Sequence, residues 1–175
     1  SVVLTPVGSD AIYQDYQVQV SFPIDIDSAF DAGGTPATIR ATGTLQAVGV
    51  VRVPKSEYLA WTVAEGIPGE PLDDDHNKDG VPNGLAWALG LKRQDNGRGK
   101  LPKVLSNREF EWQLPEPGLS GRVRLQVSSD LINWTDVPAA RIQGGTNPLP
   151  KGSRGLLKVI SSGLNGEFIR VKIEP

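Results

Sequence analysis

Apolar and polar side chains alternate along the first third of the chain. Tyr16, Val18, Val20, Phe22 and Ile24 are interleaved with Gln17, Gln19, Ser21 and Pro23. A period of two sends every second side chain to the same face, so the pattern predicts a half-buried strand. A loop with Asp31, Gly33, Gly34 and Pro36 follows. Ile39, Ala41, Leu45 and Ala47 then alternate with Arg40, Thr42, Thr44 and Gln46 and run into the apolar stretch Val48 to Val53. This second strand is long for a small domain. Ser1-Val2-Val3-Leu4-Thr5-Pro6 predicts another short strand with proline at its end. Two or three strands rarely form a stable sheet alone. Residues 1–54 are therefore expected to be a β segment in need of partners, from the C-terminal part, from residues outside this sequence, or from a neighbouring molecule; the N-terminal strand either completes another subunit's sheet by strand addition or, the reading preferred, pairs within its own chain.

The period changes at Ser56, which is placed to cap a short amphipathic helix carrying Tyr58, Leu59, Trp61, Thr62 and Val63 and ending near Gly66. Residues 83–89 predict a second short helix stopped by Gly90. Residues 55–91 thus read as one helix–acidic loop–helix unit, with Trp61 and Trp87 as its core. Residues 92–103 read as a solvated linker, or else as a basic contact (Lys92, Arg93, Arg98, Lys100, Lys103) for an acidic loop on a neighbour. Alternation returns over 104–175. Phe110, Trp112 and Leu114 form one set and Val123, Leu125 and Val127 another, followed by Leu156 to Ile160 and by Ile169, Val171 and Ile173. Asn165-Gly166 supplies a hairpin signal between the last two. Strands at this spacing predict a small β-sandwich.

Composition agrees with a β-rich chain: 20 Gly and 14 Pro favour strands joined by tight turns. At 175 residues there is room for one large domain or two small ones, and 38% hydrophobic content is enough for real cores. No apolar run approaches the length of a membrane-spanning helix. A net charge of −2 offers nucleic acid no global attraction. With no cysteine, disulfides contribute nothing. The absence of methionine is read as a processed chain or a fragment.

The densest candidate chemistry lies in Asp73-Asp74-Asp75-His76-Asn77-Lys78-Asp79-Gly80-Val81-Pro82-Asn83. Oxygen side chains at alternate positions followed by a glycine suit a hard cation such as calcium. Asp75, Asn77, Asp79, the Val81 carbonyl and Asn83 are the expected ligands. The twelfth loop position, where an EF-type loop carries a bidentate carboxylate, is Ala86. Affinity should fall accordingly unless Asp73 or Asp74 supplies the missing oxygen. The competing reading is an acidic turn that caps the second helix at Asn83. The expected fold class is mainly β, with β-sandwich segments flanking a short helix–calcium-loop–helix unit.

Other chemistry is poorly supplied. His76, the only histidine, sits inside the acidic loop with no nucleophile elbow nearby, and one histidine cannot make a typical zinc site. Adjacent aspartates suit a cation better than the spaced carboxylates of a glycosidase. Gly33-Gly34 and Gly144-Gly145 lack the Lys and Ser/Thr of a phosphate loop. Trp112 and Trp134 would make a sugar platform if both were exposed, but packing is the reading preferred for each. Asn133-Trp134-Thr135 matches a glycosylation sequon, taken here as coincidence.

Three segments in order carry a family resemblance: Ser56-Glu57-Tyr58-Leu59-Ala60-Trp61, the run from Asp75 through Asp79-Gly80-Val81-Pro82-Asn83-Gly84 to Gly90, and Leu125-Gln126-Val127-Ser128-Ser129-Asp130-Leu131-Ile132-Asn133-Trp134, with Phe168-Ile169-Arg170-Val171 closing. They resemble the C-terminal region of large secreted or surface proteins of Verrucomicrobia and related bacteria. There a calcium loop like those of thrombospondin type 3 repeats and dockerins precedes a small β domain. The resemblance spans roughly residues 56–175, and residues 1–53 more weakly resemble the preceding β segment. The family pattern continues from the Asn into Leu-Glu-Tyr-Ala-Leu-Gly, and its Glu is the residue replaced by Ala86. The resemblance implies export and a structural or surface role.

The function expected from these readings is a non-catalytic extracellular structural protein of bacterial origin. It would be calcium-stabilised and self-assembling into a filament or surface layer through strand exchange. The alternative is a carbohydrate-binding or cell-surface anchoring module of a larger secreted protein.

Overall fold

The computed structural model describes residues 1–31, 33–116, 118–162 and 166–174. The chain is mainly β, built on three antiparallel sheets, and divides into two compact units, Ser1–Lys55 and Ser56–Pro175. Among the described residues no helix is long and apolar enough to cross a membrane.

The first unit is a single sheet in the order β1 (Val2–Ser9), β2 (Tyr13–Asp31), β3 (Pro36–Pro54). β2 and β3 pair without interruption from Tyr13↔Pro54 to Asp31↔Pro36. β1 covers only the first half of β2, running through Pro6 with a register shift between Pro6 and Gly8. Ser21 and Ser1 exchange backbone hydrogen bonds of 2.9 Å in both directions. Odd-numbered residues of β2 therefore face the β1 side with their N–H groups and even-numbered ones face β3. Pro23, with no N–H to donate, falls just where β1 has ended, an edge position that tolerates it.

The register sorts side chains cleanly. Directly paired residues share a face, so Tyr16, Val18, Val20, Phe22, Ile24, Ile26 and Phe30 lie with Val51, Gly49, Ala47, Leu45, Gly43, Ala41 and Ala37. Val2, Leu4 and Pro6 extend that face onto β1. The opposite face is more polar, although Val3, Val48 and Val50 are exposed on it, and it carries the pairs Asp15–Arg52 at 2.8 Å and Asp27–Arg40 at 3.0 Å. The half-buried strand expected here holds for Tyr16, Val18 and Val20 and fails from Phe22 on, where β2 is exposed; none of the described residues of Ser1–Lys55 is fully buried. A single layer has two faces, and this unit supplies no second layer to cover the apolar one.

The second unit begins with α1 (Glu57–Ala64), capped by Ser56, whose Oγ accepts the Leu59 N–H at 3.2 Å. α2 (Asn83–Ala88) ends before Gly90, which takes the left-handed conformation with φ 69°. Two small sheets follow. One has the order β4 (Lys103–Val104), β5 (Phe110–Leu114), β9 (Gly155–Val159), β8 (Ile142–Gln143). The other has β6 (Arg122–Ser128) between β10 (Phe168–Glu174) and β7 (Thr135–Asp136). Alternate residues of β5 and β6, Phe110, Trp112 and Leu114 with Val123, Leu125 and Val127, point into one buried cluster with Leu149, Leu157 and Val159. Tyr58 and Trp87 join it, packed edge to face at 5.6 Å. The expected Asn165-Gly166 turn lies partly outside the described residues, at Asn165.

Candidate functional site

The acidic loop is anchored before it turns. Tyr58 Oη donates to the carbonyls of Glu70 at 2.8 Å and Pro71 at 2.9 Å. Burial, helped by the negative charge of Glu70, Asp74 and Asp73, pushes the Tyr58 hydroxyl up to about 12, so it remains a donor throughout the physiological range. Inside the loop, Asp75 Oδ2 accepts the Gly80 N–H at 2.7 Å, across the turn that Gly80 makes with φ 85°. Lys78 also sits in the left-handed region, φ 57°, a conformation unusual for a residue with a Cβ. Asn77 Oδ1 accepts from Asp79 N at 3.2 Å, and Asp79 Oδ1 accepts from Val81 N at 2.8 Å. Each side chain thus folds the backbone two residues ahead, the usual habit of Asx turns.

Residues 92–103 run against this loop. Asn77 Nδ2 donates to the Asp95 carbonyl at 2.9 Å, Gly97 N–H donates to Asp79 Oδ2 at 2.6 Å, and Arg98 Nε donates to the Asp79 carbonyl. The Val81 side chain is buried and lies against Gly97, where an added Cβ would come within 3.1 Å of it. Glu70 joins from the other side, with Oε1 2.9 Å from His76 Nδ1 and Oε2 accepting from Asn83 Nδ2 at 3.1 Å.

The five expected ligands, and Asp73 as the substitute for the missing twelfth, are therefore distributed as follows. Asp75, Asn77 and Asp79 line one turn, and Val81 closes it. Asp73 is exposed at the loop entrance. Asn83 is buried as the first residue of α2, whose cap is Pro82 without a side-chain bond. Its Oδ1 accepts from His76 N at 3.3 Å, so its amide ties the two ends of the loop together.

The fit to calcium turns on one atom. Asp75 Oδ1 is buried and has no hydrogen-bond partner. A buried carboxylate oxygen left unpaired costs about 1–3 kcal/mol, and a cation is a direct way to satisfy it. Among the described residues no group of three or more His, Cys, Asp or Glu is gathered to hold a metal. A calcium ion at Asp75 would thus draw on Asp79, the Asn77 amide oxygen and backbone carbonyls, an oxygen set of the kind this ion accepts.

A second candidate lies in the first unit: the apolar face of β2 and β3, with exposed Phe22, Ile24, Ile26, Phe30, Ile39 and Leu45. The even-numbered residues of β3 from Thr38 to Arg52 also direct their backbone groups away from β2, to the open edge of the sheet. The tryptophans divide. Trp112 is buried in the core with its Nε1 donating to the Lys100 carbonyl at 2.9 Å. Trp134 is half-exposed, and the Arg170 guanidinium lies 4.2 Å from its ring centre. The ring therefore packs under an arginine on the surface rather than over the core.

Sequence reasoning passed over Glu70, Asp95 and Gly97 in the loop and considered Arg98 only for an acidic loop on a neighbour, whereas it reaches the acidic loop of its own chain at the Asp79 carbonyl, because these contacts depend on chain reversals between distant residues. It also passed over Gly43 and Gly49, although glycine inside a strand pattern is itself a signal. No protein-family model matches this chain, no curated protein matches it, and no solved structure matches it.

Proposed function

We propose that this chain is a non-catalytic structural protein, exported to the surface or surroundings of a bacterium, that associates with itself through residues 1–55. The observation that carries the reading is the continuous apolar face of β2 and β3, exposed on β2 from Phe22 to Phe30 and along most of β3. Soluble monomers seldom expose so long an apolar surface, which is characteristic of interaction sites. The open edges of β2 beyond Pro23 and of β3 offer backbone groups for an added strand, so lateral growth into a filament or layer by strand exchange follows naturally. In the second unit the acidic loop serves as a calcium staple through Asp75, Asn77, Asp79 and the Val81 carbonyl, drawing residues 70–83 and 95–98 into one tied structure. The ion supplies positive charge to crowded oxygens and nothing more. The likeness of residues 56–175 to bacterial surface-protein C-termini supports the same reading. Light scattering during size exclusion, over a range of concentrations with and without a chelator, tests it. Concentration-dependent association supports the proposal, and a monomer at every concentration removes it.

A further inference from the structure

We infer that the apolar sheet face of residues 16–51 seats the same face of a second copy, with the two-fold axis running along the strands. The inference rests on the self-association reading and specifies its geometry. Across this face several large side chains on β2 stand directly beside small ones on β3, Val18 beside Gly49, Ile24 beside Gly43 and Ile26 beside Ala41, while Phe22 lies beside Leu45, Tyr16 beside Val51 and Ser28 beside Ile39. β3 thus dips into two furrows, at Gly49 and at Ala41–Gly43, on either side of the exposed Leu45. Among the described residues nothing explains the two glycines. Neither takes a positive φ, and a Cβ built on either meets no atom within 4 Å. Glycine weakens a strand interior and commonly marks close approach by something else.

A two-fold axis parallel to the strands lays β2 of one copy over β3 of the other at the same height. Ile24 then enters the furrow at Gly43 of its mate, and Val18 the furrow at Gly49, with both hairpin tips pointing the same way. An axis across the strands would set β2 on β2 and leave the furrows empty. The area suffices for a stable pair. Fifteen residues at about 3.3 Å each, two strands wide at about 4.8 Å spacing, give a footprint of about 500 Å² per copy. The pair buries about 1,000 Å², the threshold for a specific interface. Sheets packed in this way lie about 10 Å apart.

The test uses the full chain, whose lack of cysteine permits single-site spin labelling. Thr38→Cys and Val50→Cys place labels on the polar face near the two ends of β3. Electron-spin distance measurements should give both variants one similar short separation, about 25–35 Å, set by the sheet spacing plus the reach of two labels. Gly43→Val fills the furrow while fitting the single chain. It should leave the circular dichroism unchanged and weaken association about tenfold or more. Label separations that differ between the two variants, or that are alike but well beyond that range as an axis across the strands would give, or Gly43→Val association equal to wild type, overturn this geometry and leave self-association standing. A wild type that is monomeric in water overturns both, whether it stays monomeric or gathers only on phosphatidylcholine vesicles, as a membrane-inserting hairpin would.

Discussion

Replacing Asp75 with Asn removes one negative charge from the loop while keeping an oxygen to accept the Gly80 N–H, now 2.7 Å from Oδ2. In wild type the other carboxylate oxygen is buried and unpaired, a cost of about 1–3 kcal/mol when no cation is present. Asp75→Asn relieves the charge at that atom, so without calcium its stability should match wild type to within about 1 kcal/mol. With calcium at about a hundred times its dissociation constant, a bound ion adds about 2.7 kcal/mol to wild type. For a unit the size of Ser56–Pro175 that is an upward shift of about 8–12 °C in Tm. Asp75→Asn, lacking the charged ligand, should lose most of the shift. The assay is differential scanning calorimetry of both proteins in chelator and in calcium. A wild-type Tm indifferent to calcium refutes the staple. An equal shift in both proteins refutes the assignment of Asp75 as its anchor.

Two further outcomes follow from the second unit. Gly121→Ala places a Cβ about 2.5 Å from the Trp87 ring and should cost about 1–3 kcal/mol, read as a lower urea midpoint together with a changed near-ultraviolet dichroism from Trp87 and Tyr58. The Arg141 guanidinium grips Glu167 with bonds of 2.8 and 2.6 Å and holds its carboxyl below the usual range. A carboxylate depressed in the folded state stabilises fully above its unfolded value, and that stability is lost as pH falls through the folded one. Urea titrations should therefore show stability declining below about pH 4, and Glu167→Gln should flatten that decline while costing about 1–3 kcal/mol at neutral pH.

Local signals were read correctly where the cause is local. The alternation of Val123, Leu125 and Val127 gave the buried face of β6, and Ser56 gave the start of α1, because side-chain direction and capping need only near neighbours. The alternation of residues 16–24 gave the strand and its apolar face, but it carries no information on what covers that face, so half-burial held for Tyr16, Val18 and Val20 while Phe22 and Ile24 are exposed. Asn83 shows a different limit. Its position in the motif suggested a ligand, whereas its amide bonds depend on where Glu70 and His76 arrive in space. Trp134 was likewise read as a packing residue from sequence, but its stacking on Arg170 required the pairing of β6 with β10.

The central claim is that the apolar face of residues 1–55 joins copies of the chain. Sedimentation of the wild type beside Ile24→Asp tests it most directly, since Ile24 is exposed at the middle of that face and touches no core. The account predicts that wild type associates as its concentration rises, while Ile24→Asp sediments as a monomer with the dichroism of the second unit intact. A variant that associates as strongly as wild type would contradict it.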